Sequence, residues 1–193
     1  IEVLPDINMV HFVEKGIRGG ISMITTRYAE ANNPYLPTGF DPQSRLAYLI
    51  YLDANNLYGW AMSQPLPTHK FRWLQEEEIR VLNISELSDD AEDGYILEVD
   101  IHYPAHLHDL HNDYPLAPET MDITSDMYSP LQKTTFPKIT GAQRKLTPNL
   151  MDKSRYIVHY RNLKLYMELG LIVTAVHRVL TFNQSPWLKE YID

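Results

Sequence analysis

The chain has no cysteine among its 193 residues, which excludes disulfides and thiolate metal sites but leaves the redox compartment undetermined. It also lacks any apolar run close to the ~18 residues that a membrane-spanning helix needs, and nothing shaped like a signal peptide opens it. We therefore expect no membrane partner. A length of 193 residues suits one domain or a domain and a half, and a hydrophobic content of 44% is ordinary for a globular protein. Because the chain starts with Ile1 and stops without a tail, we expect a piece of a longer protein.

The formal net charge of −8 argues against a uniformly basic surface for nucleic acid. The charge is unevenly distributed, however. Residues 133–189 hold ten Lys and Arg side chains against Asp152 and Glu168, a balance of +8, so the remaining residues sum to −16. Such segregation allows a basic face for phosphates beside an acidic, metal-binding half. The alternative is a surface on which the charges mix once the chain is folded.

The first half of the chain predicts one buried strand between irregular segments. Residues 29–45 are rich in Pro, Asn and Asp and predict a loop. The apolar run 46–53 predicts a strand buried on both faces. A short helical turn follows through Trp60 and Met62 and is ended by prolines. The acidic residues 73–93 predict a short surface helix and then a loop.

The second half predicts strands backed by a helix. Alternation over residues 95–103 predicts a half-buried strand, and 156–160 and 171–182 predict two more. The apolar spacing between these last two strands suits a helix that ends at Gly170. Residues 104–149 are rich in proline and lack periodicity, which predicts an irregular insertion. Strand, helix and strand after an apolar strand indicate an α+β fold.

One carboxylate marks the most informative point of the sequence. The apolar run ends on Asp53, two asparagines follow, and Leu57, Tyr58 and Gly59 begin a new segment. A charge inside the run would have no partner, so we expect Asp53 to emerge at the strand's end, where it can meet a cation or ligand. The simpler alternative is that Asp53 only starts a turn or caps a helix.

Three segments together resemble the protein-primed family B DNA polymerases of phages, linear plasmids and self-synthesising mobile elements. Residues 17–21 (IRGGI) are similar to the family's Tyr-x-Gly-Gly motif, with Ile17 in place of Tyr. Residues 53–58, followed by Pro-Leu-Pro, resemble the first catalytic motif, with Asn56 in place of the common Ser. Residues 145–192 resemble the stretch that leads into the fingers.

The resemblance implies a metal and nucleotide site around the first motif. Asp53 and the backbone carbonyl of Ala54 would bind Mg²⁺, with two ions in the complete enzyme and the second carboxylate outside this chain. The Tyr58 ring would be the steric gate that excludes ribonucleotides. The nucleotide-binding residues would be Asn55, Asn56, Leu57 and Tyr58.

The Gly-Gly segment would contact the template strand through Arg18, Gly19 and Gly20. Two glycines let backbone amides approach a phosphate, and Arg18 adds charge. The implied partners are a DNA template–primer, deoxynucleoside triphosphates and a terminal protein that primes synthesis. The location would be intracellular, with the nucleus and the mitochondrion both left open.

The resemblance also divides the chain. Residues 1–45 would be the Gly-Gly region between exonuclease and palm, 46–94 the palm with the first catalytic motif, 95–150 the insertion that contacts the terminal protein, and 151–193 the palm strand–helix–strand before the fingers. The implied fold class is α+β, a palm-like mixed or antiparallel sheet backed by helices, with an irregular insertion. The family's second motif (a Lys with Asn-Ser-x-Tyr-Gly) and third motif (Asp-Thr-Asp) are absent from this sequence. We therefore expect a fragment of a DNA polymerase.

Two other interpretations stay open. The chain could be a truncated or domesticated palm that binds DNA or a protein without catalysis. Four histidines within ten residues could also hold Zn²⁺, although Pro104 interrupts them and a polar loop is the alternative. The side chains concerned are His102, His106, His108, Asp109, His111 and Asp113.

Overall fold

The computed structural model describes residues 1–135 and 143–192. Its helices are α1 (Ile7–Gly16), α2 (Leu57–Met62), α3 (Glu76–Val81), α4 (His108–His111), α5 (Pro130–Thr135), α6 (Tyr160–Glu168) and α7 (Lys189–Ile192). Its strands are β1 (Leu66–Trp73), β2 (Asp93–His102), β3 (Glu119–Ile123), β4 (Gln143–Thr147), β5 (Lys153–His159) and β6 (Ile172–Ser185). In this part of the chain no helix is both long and apolar enough to cross a membrane.

Four strands form one antiparallel sheet in the order β1-β6-β2-β5. The long strand β6 pairs with β1 on one side and with β2 on the other, while β3 and β4 form a separate antiparallel pair. The α+β class with an antiparallel sheet is confirmed. The strands predicted at 95–103, 156–160 and 171–182 are confirmed as β2, β5 and β6.

The main sheet is covered by helices on both faces. Successive side chains of a strand point to opposite faces, and β2 follows this rule: Leu97 and Val99 share a buried cluster with Tyr160 and Leu163 of α6. Burying each such side chain contributes roughly 1.5–3 kcal/mol. The opposite face packs on α1 through a second cluster, which contains Met9, Phe12, Ile157, Leu180 and Phe182.

Helix α6 ends just before Gly170, as its sequence predicts. The ring of His159 precedes it and accepts a hydrogen bond from the backbone N–H of Arg161 at 3.4 Å. Gly170 follows its end with φ of 99°, a conformation that favours glycine. A Cβ at Gly170 would also lie 2.9 Å from the side chain of Leu107. The predicted helix with a glycine stop is therefore confirmed.

The segment between β2 and β5 leaves the main sheet and returns to it. The prediction of irregular structure over 104–149 is wrong at β3 and β4, which pair in register with Glu119 opposite Thr147. Residues 136–142 lie outside the described residues. Because β3 and β4 are far apart along the chain, no local sequence pattern predicts that they pair. The domain boundary placed at residue 95 also falls inside β2. The contact of this segment with a terminal protein stays a prediction.

The predicted buried strand at 46–53 is wrong. Ala47 forms an isolated bridge with Asn32, and residues 48–54 take part in no strand. Their side chains face solvent, with Tyr51 91% and Leu52 85% exposed. A strand needs a neighbouring edge for its backbone hydrogen bonds, and none of the described strands pairs with this run. The apolar composition of this run predicts burial, but the structure leaves the run exposed.

Candidate active site

The residues that the sequence predicts to form the first motif lie in the turn that precedes α2 and in its first turn. Asn56 has left-handed backbone angles (φ 49°, ψ 47°), a conformation that asparagine tolerates better than most residues. Its side-chain Oδ1 accepts a hydrogen bond from the backbone N–H of Gly59 at 3.2 Å, and its carbonyl accepts one from the N–H of Trp60 at 3.0 Å. Helix α2 therefore starts where the sequence predicts a helical turn.

Asp53 precedes this turn with an exposed side chain. Among the described residues, no hydrogen bond or ion pair engages the Asp53 carboxylate or the Ala54 carbonyl. The alternative in which Asp53 caps the helix is wrong, because Asn56 occupies the cap position. An unengaged carboxylate is available to a cation.

Mg²⁺ prefers about six oxygen ligands, some of them water, and the carboxylate of Asp53 with the carbonyl of Ala54 has the right chemistry. The set is incomplete, however: no group of three or more His, Asp or Glu side chains in 1–135 and 143–192 is placed to hold a metal ion. These residues therefore fit one side of a magnesium site.

Tyr58 points away from the core. Its side chain is 84% exposed, and the neighbouring residues Leu57 and Trp60 are also exposed. Tyr58 is therefore not part of the core. An exposed ring on the first turn of α2 is free to contact a ligand, and its removal should leave the core intact.

Arg18 has a structural role that sequence reasoning missed. Its Nη1 donates hydrogen bonds to the carbonyls of Ile157 at 2.7 Å and Gly16 at 3.0 Å, and its guanidinium lies 3.8 Å from the centre of the Tyr156 ring. These contacts attach the end of α1 to β5. The charged guanidinium and the aromatic face attract each other. The sequence resemblance implied that Arg18 contacts the template strand, and this contact stays a prediction.

Gly19 and Gly20 follow in an open position. A Cβ at either residue would meet nothing within 4 Å, so packing does not require glycine here. This space leaves the two backbones accessible to a ligand. Among the described residues, no hydrogen bond or ion pair joins Gly19 or Gly20 to the Asp53 turn.

A cleft of about 520 Å³ lies between α2 and α6, a size typical of ligand sites. Trp60 and Gln64 line one wall, and Arg161, Lys164 and His159 line the other. Burial, aided by the nearby Arg161 charge, lowers the pKa of His159 to about 4, so its imidazole is neutral at pH 7. No sequence motif marked this cleft, because its walls come from residues about a hundred positions apart.

The basic segment does not form a face of free cations in the described structure. Five of its ten basic side chains lie within 4.0 Å of carboxylates from the acidic half, which fits the charge-mixed alternative. Asp89 lies 3.8 Å from Arg161 and 3.5 Å from Lys164. The other pairs are Glu98 with Arg155 and Arg178, and Glu119 with Lys153. Lys138 lies outside the described residues.

The histidines proposed as zinc ligands have different partners. His102 Nδ1 lies 2.9 Å from an Asp152 oxygen, whereas the buried His111 lies 2.8 Å from the Tyr103 hydroxyl. The His108 ring lies 3.3 Å from the Tyr103 carbonyl. Within the described residues these side chains do not converge on one metal position.

No family model, no curated protein and no solved structure matches this chain.

Proposed function

We propose that this chain is part of the palm of a protein-primed family B DNA polymerase and carries its first catalytic motif. One observation carries the proposal: the unengaged Asp53 carboxylate directly precedes a capped helical turn that presents the exposed ring of Tyr58. The motif residues are thus held together on one short segment. Their side chains are free to meet a metal ion and a nucleotide.

The exposed run before Asp53 supports the same proposal. Residues 46–52 contain no charge, and their large side chains are more than half exposed. Soluble proteins rarely leave a large apolar patch uncovered unless it is an interaction site. An exposed apolar run that leads directly into Asp53 suits a surface that another part of a longer polymerase would cover.

In this function the residues of the turn divide the work of nucleotidyl transfer. Asp53 and the Ala54 carbonyl would hold Mg²⁺, which supplies stabilisation of negative charge on the attacking and leaving oxygens. The first backbone N–H groups of α2, from Leu57 and Tyr58, have no helical acceptor and would donate to phosphate oxygens. The Tyr58 ring would occupy the space that a ribose 2′-hydroxyl needs. The remaining partners would be template–primer DNA and the terminal protein.

Replacing Tyr58 with Val tests the nucleotide site in the full-length protein. We expect discrimination against ribonucleotides to fall by at least about tenfold, because the removed ring is the proposed barrier. Single-nucleotide incorporation with matched ribo- and deoxynucleotides measures the ratio of their kcat/KM values. Since Tyr58 is exposed, the melting temperature should stay unchanged. An unaltered ratio would exclude the steric-gate role.

The 193-residue chain alone should show no polymerase activity. The triphosphate-binding Lys and the second metal carboxylate belong to motifs that it lacks, and both are needed for catalysis. Any DNA binding should have a dissociation constant no tighter than about 10⁻⁴–10⁻⁶ M and should weaken steeply with salt. Primer extension by the purified chain, free of host polymerases, would contradict this.

A non-catalytic DNA- or protein-binding module is the second candidate, and the same exposed run 46–52 favours it, because an uncovered apolar segment also suits a protein partner. The genomic reading frame separates the two functions. A frame that continues into a Lys with Asn-Ser-x-Tyr-Gly and then Asp-Thr-Asp supports the polymerase. A frame without these motifs supports the binding module.

A further inference from the structure

The side chain of Asn56 does not face a ligand but is engaged within α2. Its Oδ1 accepts the hydrogen bond from the Gly59 N–H at 3.2 Å, which satisfies one of the amides that a helix start leaves free. The residue also holds the left-handed backbone angles that reverse the chain between Asp53 and α2. Asn56 thus sets the path of the turn through both its backbone and its side chain.

Gly59 is the second half of this arrangement. It is buried, and a Cβ at this position would lie 2.6 Å from both Cγ and Oδ1 of Asn56. Such a distance is well inside van der Waals contact, so any other residue would push the Asn56 side chain out of its position. The sequence gives no sign of this constraint, since glycine inside a helix usually only weakens it.

The other end of α2 is also attached. The Ser63 hydroxyl donates to the Gly59 carbonyl at 3.0 Å, and the Gln64 Nε2 donates to the Trp60 carbonyl at 3.1 Å. The Gln64 Oε1 in turn accepts from Arg161 of α6 at 3.4 Å. A helix of six residues is marginal by itself. The first two contacts close its last turn, and the third joins it to α6.

We propose that Asn56 and Gly59 form a positioning pair that holds the Asp53 carboxylate and the Tyr58 ring in their working orientation. This inference rests on the proposed polymerase function and deepens it. It also changes the role of Asn56 from a nucleotide contact to a residue that acts through Asp53 and Tyr58. Displacements near 1 Å at a reacting site are costly, and a released cap permits movements of that size.

The test compares Asn56→Gly with Asn83→Gly in the full-length protein. Glycine tolerates the left-handed angles of residue 56 but lacks the accepting oxygen, so the variant removes only the cap. Asn83 is a matched control, because its Oδ1 also caps a short helix at 3.2 Å, through the Ser85 N–H. Both variants should change the melting temperature only slightly, because glycine replaces an N-cap asparagine at little cost.

Two readouts separate positioning from stability. We expect Asn56→Gly to weaken Mn²⁺ binding by about fivefold, because a turn without its side-chain hydrogen bond misplaces the Asp53 carboxylate. Electron paramagnetic resonance of the free ion measures this binding. The deoxy-to-ribonucleotide preference should fall by a similar factor, while Asn83→Gly changes neither. Gly59→Ala should act in the same direction, and the double variant Asn56→Gly/Gly59→Ala should be no worse than Gly59→Ala, because the clash is gone.

The inference is overturned if Asn56→Gly keeps both Mn²⁺ affinity and nucleotide preference within about twofold of the parent. It is also overturned if Asn83→Gly shifts both quantities as much as Asn56→Gly does. Asn56→Gly decides the matter if Gly59→Ala fails to fold. An Asp53→Asn variant measured in parallel separates this failure from that of the proposed function. If Asp53→Asn leaves Mn²⁺ binding intact, the function itself is wrong. If it abolishes binding while Asn56→Gly has no effect, only the positioning role is lost.

Discussion

Replacing Asp53 with Asn in the full-length protein should reduce nucleotide incorporation by at least about a hundredfold, since a neutral amide is a poor Mg²⁺ ligand and the metal stabilises the transition-state charge. DNA affinity and melting temperature should stay near those of the parent, because the exposed Asp53 carboxylate engages no other described residue. Primer extension measures the first quantity and fluorescence anisotropy with labelled DNA the second.

Glu77→Gln is the matched control for Asp53→Asn. Glu77 is an exposed carboxylate on α3, so this variant removes one surface charge outside residues 53–58. It should polymerise like the parent. If Asp53→Asn retains incorporation within about tenfold of the parent, Asp53 is not a metal ligand and the motif assignment is wrong.

Replacing Glu119 with Gln should destabilise the 193-residue chain by about 2 kcal/mol at pH 7. Lys153 has a fully buried side chain, and its Nζ lies 3.0 Å from a Glu119 oxygen. Removing one partner of a fully buried pair costs ~3–5 kcal/mol, and the expected value is smaller because Glu119 keeps some solvent contact. Urea unfolding of parent and variant measures the difference in free energy of unfolding.

The pH dependence of this destabilisation has a definite sign. Burial lowers the pKa of Lys153, and the hydrogen bond to Glu119 opposes that shift. A lysine with a lowered folded-state pKa makes stability rise with pH between its folded and unfolded pKa values. Glu119→Gln lowers the folded value further, so the deficit should shrink as the pH approaches ~10.4, the ordinary lysine value.

The double variant Lys153→Met/Glu119→Gln is the control for the charge effect. It leaves no unpaired buried charge, so it should be more stable than Glu119→Gln at pH 7. If the loss of stability in the double variant equals the sum of the losses in Glu119→Gln and Lys153→Met, the two side chains do not interact. A deficit that stays constant up to pH 10 would contradict the role of the Lys153 charge.

Local patterns predicted the parts of the fold that local forces form. Alternating residues gave β2, and apolar spacing with a glycine stop gave α6 and the positive φ of Gly170. The helical turn after Asp53 was predicted in the same way, from the break that Pro65 imposes. In each case the residues that decide the structure lie within one or two turns of the feature that they form.

The contacts that cross the chain could not be read from the sequence. Arg18 interacts with the carbonyl of Ile157, and Glu119 pairs with Lys153, across spans that carry no periodic signal. The basic segment looked like a candidate DNA surface because its acidic partners are distant in sequence. Folding brings Glu98 to Arg178 at 2.8 Å and removes that charge from a free surface.

The sequence by itself determined the α+β class and the short helix that follows Asp53. Only the tertiary structure decided that residues 46–52 stay uncovered, that Tyr58 faces solvent and that Asn56 is committed to Gly59. The physical reason is that helix starts and stops depend on neighbouring residues, whereas burial depends on which other elements are present to supply backbone partners and apolar contacts. An apolar run predicts a strand, but the strand forms only beside another.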